Sequence, residues 1–107
     1  MGLTKTEGFT KTQIEMAAIA KALAHPARIA IIQFLAHRKE CMCGDIVNEL
    51  PLSQSTVSQH LKELKNAGLI KGNIDGPSIC YCINDKAWEM AKKSIVSLFE
   101  LVHKDCC

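Results

Sequence analysis

The stretch "LSQSTVSQHLKELKNAGLIKG", Leu52 to Gly72, decides how the rest of the chain reads. It begins as a turn. Ser53 suits a helix N-cap, because its hydroxyl can accept from an unpaired N–H of the helix that follows. From Gln54 to Asn66 the apolar residues Val57, Leu61 and Leu64 recur at i, i+4 and i+7. That spacing puts them on one helix face. Gly68 suits the C-terminal stop. The period then drops to two. "LIKGNI" (69–74) and "SICYCIN" (78–84) flank the turn signal "DGP", so a β-hairpin is predicted. In its second strand Ile79, Tyr81 and Ile83 share one face, and Cys80 and Cys82 share the other.

Upstream, the segment Gly44 to Leu50 reads as a short helix with Ile46, Val47 and Leu50 on its apolar side. Pro51 ends it, because the residue before a proline is pushed out of the α region. "TKTQIEMAAIAKALA" from Thr10 carries Ile14, Ala17, Ala18 and Leu23 at helical spacing. In "HPARIAIIQFLAHR", Pro26 fits a first helical turn, where its missing N–H costs little. Downstream, Asp85 to His103 carries Trp88, Ala91, Ile95, Leu98 and Val102 along one stripe. The expectation is a mainly α chain with five helices and a small β-hairpin before the last. Short helix, tight turn, longer helix and hairpin make a winged helix-turn-helix. Residues 1–9 read as a flexible N-terminus, 10–105 as the domain and 106–107 as a cysteine tail.

At 107 residues the chain is one domain by length. Hydrophobic residues make up 48%, enough for a core. So short a chain nevertheless buries a limited share of its surface, so burial against a partner is expected. The net charge of +2 is too weak to argue nucleic-acid binding from bulk charge. No apolar run approaches the roughly 20 residues of a membrane span. "MGLTKTEGF" has no continuous apolar segment of a secretory signal. A cytoplasmic protein without a membrane partner is expected.

Local placement carries the case for DNA. With Val57, Leu61 and Leu64 inward, Ser55, Gln59, Lys62 and Asn66 point outward. Thr56 and Glu63 flank them on one side and Ser58 lies nearer the other. Gln can bind adenine bidentately, and Ser or Thr can serve either type of base. A recognition helix sets its N-terminal residues on the bases. Its N-terminus also favours phosphate oxygens. The expected contacts to double-stranded DNA are Ser53, Gln54, Ser55, Thr56, Ser58, Gln59, His60 and Lys62.

"LAHPARIAIIQFL", the opening stretch and "GPSICYCIN" together resemble the ArsR/SmtB family of bacterial metal- and metalloid-responsive repressors. The resemblance covers about Ala20 to Asn84. It implies a homodimeric winged-helix repressor that leaves its operator when an inducer binds. The helix after Ser53 would read the major groove, with the wing on the flanking backbone or minor groove. The first and last helices would form the dimer interface, which agrees with the long apolar stripe of the fifth helix. Many relatives carry an arginine just after the turn glycine, where this chain has Pro77. Lys71 is the expected wing contact instead, with Asn73.

Six cysteines remain: Cys41, Cys43, Cys80, Cys82, Cys106 and Cys107. In a reducing compartment clustered thiols bind metals or react more often than they staple a fold. Within a helix, residues i and i+2 diverge by about 200°. At a helix entrance, by contrast, both sulfurs of "CMC" can converge on one ion, and Gly44 loosens the backbone there. A helix N-terminus also favours thiolate. Thiolates prefer soft or borderline ions such as cadmium, lead, zinc, copper(I) or trivalent arsenic. In the family, Cys-x-Cys followed by Asp at this position marks the thiolate site of arsenic, cadmium and lead sensors. Cys41, Cys43 and Asp45 resemble it, with Gly44 as an extra residue. Ile46 and Val47 stand where arsenite sensors add a third Cys. The C-terminal Cys106 and Cys107 are therefore the expected completing ligands. As(III) is the expected inducer, with Cd(II), Pb(II) or Zn(II) as alternatives. Cys80 and Cys82 read as ordinary strand residues. A thiol redox- or persulfide-responsive repressor of the same fold is the alternative. A thiol oxidoreductase is disfavoured, since the chain has no C-x-x-C and no βαβ pattern, and no enzyme is expected.

Overall fold

The computed structural model describes residues 8–38, 42–43, 45–75 and 78–102. Cys41, Gly44, residues 76–77, Cys106 and Cys107, and the residues before Gly8 lie outside the described residues.

Helix α1 spans Lys11–Ala22. It starts at a capping box: Gln13 N–H donates to Thr10 Oγ1 (3.1 Å), and Thr10 N–H donates to Gln13 Oε1 (2.9 Å). Two otherwise orphaned donors are thus satisfied reciprocally. Helix α2, Pro26–His37, has Pro26 in its first turn and His25 as N-cap. His25 Nδ1 accepts from Ala27 N–H at 3.0 Å. The two helices meet at 90°. No single helix among the described residues is long and apolar enough to cross a membrane.

The expected short helix from Gly44 to Leu50 is a 3-10 helix over Asp45–Glu49. The structure therefore has four α-helices among the described residues, where five helices were predicted. The physical reason is length. Pro51 keeps Leu50 out of the α region, and five residues suit the tighter 3-10 turn, which is used in short pieces. Ile46, 2% exposed, anchors it in the core.

Helix α3, Gln54–Asn66, is capped at both ends as the residues demand. Thr56 N–H donates to Ser53 Oγ at 3.3 Å. At the other end Gly68 takes φ +83°. Gly68 N–H then reaches Lys65 O (2.9 Å) and Leu69 N–H reaches Leu64 O (3.1 Å). This is the paired closure of a Schellman motif, with glycine where a left-handed backbone is needed.

Strands β2 (Ile70–Asp75) and β3 (Ser78–Ile83) form the antiparallel hairpin, from Ile70↔Ile83 to Asp75↔Ser78. A two-residue strand, β1 (Met42–Cys43), pairs antiparallel with the other edge of β3. The sheet is therefore three-stranded, in the order β1-β3-β2. Helix α4 spans Asp85–Glu100, capped by Asn84, and stops short of the expected His103.

The core collects Ile31, Ile46, Val57, Leu64, Leu69 and Ile70, each at most 2% exposed. It unites α2, the 3-10 helix, α3 and the base of the hairpin. Full burial of such a side chain contributes roughly 1.5–3 kcal/mol, so this cluster fixes α3 relative to its neighbours. Helix α4 differs. Ala91 is its buried residue, while Met90, Phe99, Leu101 and Val102 on and just past it are 62–80% exposed.

Candidate functional site

The inward face of α3 is Val57, His60, Leu61 and Leu64. Their burial turns the opposite face to solvent: Gln54, Ser55, Thr56, Ser58, Gln59, Lys62 and Asn66 are all exposed, as is the cap Ser53. Lys71 on β2 is exposed too. The hydroxyls at the head of the helix are ordered among themselves. Ser53 Oγ lies 2.9 Å from Thr56 Oγ1 and 3.2 Å from Ser55 Oγ. The helix therefore presents a compact polar tip, where unpaired backbone N–H groups and the helix dipole favour anionic oxygens. Farther along, Gln59 offers an amide with both donor and acceptor, and Lys62 a cation.

His60, expected as a DNA contact, is instead an inward residue, only 8% exposed. Its Nδ1 accepts from Arg28 Nε–H at 3.1 Å. Its ring lies 4.3 Å from that of His25, tilted by 43°. Arg28 Nη1 also donates to Ala22 O at 3.2 Å, at the C-terminus of α1. One guanidinium thus joins α1, α2 and α3. Among the described residues no buried side-chain nitrogen or oxygen lacks a hydrogen-bond partner. The spacing held the signal: 57, 60, 61 and 64 are i, i+3, i+4 and i+7, the full width of a core-facing stripe.

Burial holds the His60 pKa below 6.5, helped by the charges of His25 and Arg28. A depressed pKa means that the unfolded chain binds the proton more tightly. The associated stability is complete above pH 6.5 and is lost as pH falls through 6.5 toward the lower native value. Thermal melting followed between pH 7.5 and 5.5 is expected to show this loss. His60→Gln, which keeps an acceptor for Arg28, is expected to flatten that part of the profile. An unchanged slope in His60→Gln would assign the acid sensitivity to other groups.

The thiol residues divide. Cys43 ends β1, two residues before the 3-10 helix begins at Asp45. That helix packs against both β1 and α3. Thiolate donors here fit a soft ion by their chemistry. Cys41, Cys106 and Cys107 lie outside the described residues, and the described residues bring no three His, Cys, Asp or Glu side chains together as a metal site. One wing cysteine, Cys80, is not the plain strand residue the sequence suggested. Cys80 is buried and disulfide-bonded, and the β1–β3 register sets Cys43 across from it. Sequence reasoning missed this because a two-residue strand carries no readable period.

Known proteins share this arrangement. Residues 25–71, from the cap of α2 into β2, match the family model described as bacterial regulatory protein, arsR family. An uncharacterised helix-turn-helix transcriptional regulator of Methanocaldococcus jannaschii is 37% identical over 78 residues, covering 71% of this chain and 86% of the relative. The helix-turn-helix transcriptional repressor SmtB of Mycobacterium tuberculosis is 40% identical over 67 residues, 63% of this chain and 49% of the relative, so this chain spans about half of that protein. Among solved structures, NolR from Sinorhizobium fredii superposes with a TM-score of 0.65 at 28% identity, covering 94% of this chain and 95% of that one. Capped helix α3, hairpin and relatives agree: the chain belongs to the ArsR family of bacterial regulatory proteins, and is a winged helix-turn-helix transcriptional regulator of the ArsR/SmtB kind rather than an enzyme.

Proposed function

We propose that the chain works as a cytoplasmic homodimer that holds a twofold-symmetric operator and releases it when a thiophilic ion, As(III) foremost, binds Cys41, Cys43 and one of Cys106 and Cys107. The observation that carries this is the position of Cys43. It ends β1 immediately ahead of the 3-10 helix, which packs on the reading helix. An ion drawn to this dithiol would pull on the first half of the helix-turn-helix. To act as an inducer it must favour the conformer that does not bind DNA, since only differential affinity shifts the equilibrium.

Dimerisation is supported by the apolar surface of α4. Met90, Val96, Leu98, Phe99, Leu101 and Val102 remain 43–80% exposed. So much exposed apolar surface on one short segment supports burial against a partner. In the dimer Ser55, Thr56, Ser58 and Gln59 of each protomer would meet one half-site, about one helical turn or a multiple from the other. Ser53, Gln54 and Lys62 would hold phosphates and Lys71 would touch the flanking backbone.

The ion is identified by competition. As(III), Cd(II), Pb(II) and Zn(II) are titrated separately against the protein on labelled DNA from upstream of its own gene. As(III) is expected to release the DNA at the lowest concentration. Release by zinc alone would transfer the role to a harder donor set than thiolates.

A further inference from the structure

The β1–β3 ladder opposes two cysteine-bearing segments: Cys43 pairs with Cys80 and Met42 with Tyr81. Residues directly opposed in an antiparallel pair project to the same face, with Cβ atoms about 4.5–5.5 Å apart. That is close to the roughly 3.5–4.5 Å of a disulfide. Cys82 is two residues along β3, about 7 Å from Cys80 at strand rise, too far to bond it. Cys80 itself is 5% exposed and disulfide-bonded.

We propose that Cys43 and Cys80 are a reversible dithiol–disulfide pair, a modification site that ties the wing to the start of the helix-turn-helix. The oxidant class is a hydroperoxide. Because Cys80 is buried, Cys43 takes the first step: its thiolate attacks the O–O bond, gaining one oxygen as sulfenic acid and expelling hydroxide or alkoxide. The Cys80 thiol then attacks the Cys43 sulfur, forming S–S and releasing water. Two sulfurs lose two electrons, and one peroxide is reduced to water or to water and alcohol. A cellular dithiol reverses the bond by exchange.

The bond would close a covalent loop from 43 to 80 that contains the 3-10 helix, α3 and β2, the whole reading unit. It would also withdraw Cys43 from any soft ion, so that oxidised protein ignores arsenite. That last consequence rests on the metalloid reading above; the bond itself does not.

The test uses the full chain with Cys41 and Cys82 both replaced by serine, treated with a slight excess of hydrogen peroxide and then alkylated. Non-reducing peptide mapping is expected to link tryptic peptides Glu40–Lys62 and Gly72–Lys86, a linkage that phosphine reductant removes. The melting midpoint is expected to rise by about 10 °C or more on oxidation, since a loop of this length is constrained in the unfolded chain. Fragmentation of the same linked peptide from wild-type protein is expected to place the bond at Cys43 and Cys80. A Cys41–Cys82 bond in the wild type, or a folded double variant that forms no bond, overturns the proposal. If the bond forms but oxidised protein still takes up arsenite normally, the metalloid reading fails and the pair stands.

Discussion

Operator DNA is expected to stay bound in saturating arsenite when Cys43 is replaced by serine. A serine hydroxyl is not an anion at neutral pH and is a hard donor, so it cannot stand in for a thiolate toward As(III). Coupling between two ligands on one protein is typically 1–3 kcal/mol, or about 5- to 150-fold in affinity. Arsenite is therefore expected to weaken wild-type operator binding by roughly that factor and to change binding by Cys43→Ser less than about twofold. Without arsenite the variant is expected to bind DNA as the wild type does, because Cys43 lies on β1 rather than on α3. Operator titrations with and without arsenite, in phosphine rather than thiol reductant, measure both. A Cys43→Ser protein that still releases DNA in arsenite would move the sensor elsewhere in the chain.

The second large effect concerns the outward face of α3. Gln59→Ala is expected to weaken operator binding by about 1–3 kcal/mol, roughly 5- to 150-fold, if its amide makes a bidentate base contact. The loss should concentrate on the specific site and relax preference at one base position. Lys62→Ala should behave differently, weakening specific and non-specific DNA alike and reducing the salt slope of log K by about one. Both residues are exposed, so neither substitution should disturb folding, and the melting midpoint provides the control. A Gln59→Ala loss equal on operator and random DNA would make Gln59 a backbone contact and shift base reading to Ser55, Thr56 and Ser58.

Much of this was legible because the signals were local. Ser53 and Gly68 announce the two ends of α3 by cap chemistry that depends on a few neighbouring residues. The switch from period 3.6 to period 2 announces the hairpin. What escaped depended on distant partners or on too few residues. Strand β1 has two residues and exists only because β3 offers it an edge. With it escaped the one juxtaposition of Cys43 and Cys80. The segment before Pro51 was short enough to be α or 3-10, and its length decided for the tighter form. His60 was misread for a different reason: its polarity outweighed its position on the stripe, although Arg28 and His25 satisfy it there.

Arsenite sensing is tested most directly by the fluorescence anisotropy of labelled promoter DNA bound by reduced wild-type protein as arsenite is added. The predicted result is release at about one arsenite per protomer, with no oxidant present. Retention of the DNA at saturating arsenite, with release appearing only on addition of hydroperoxide, would contradict it.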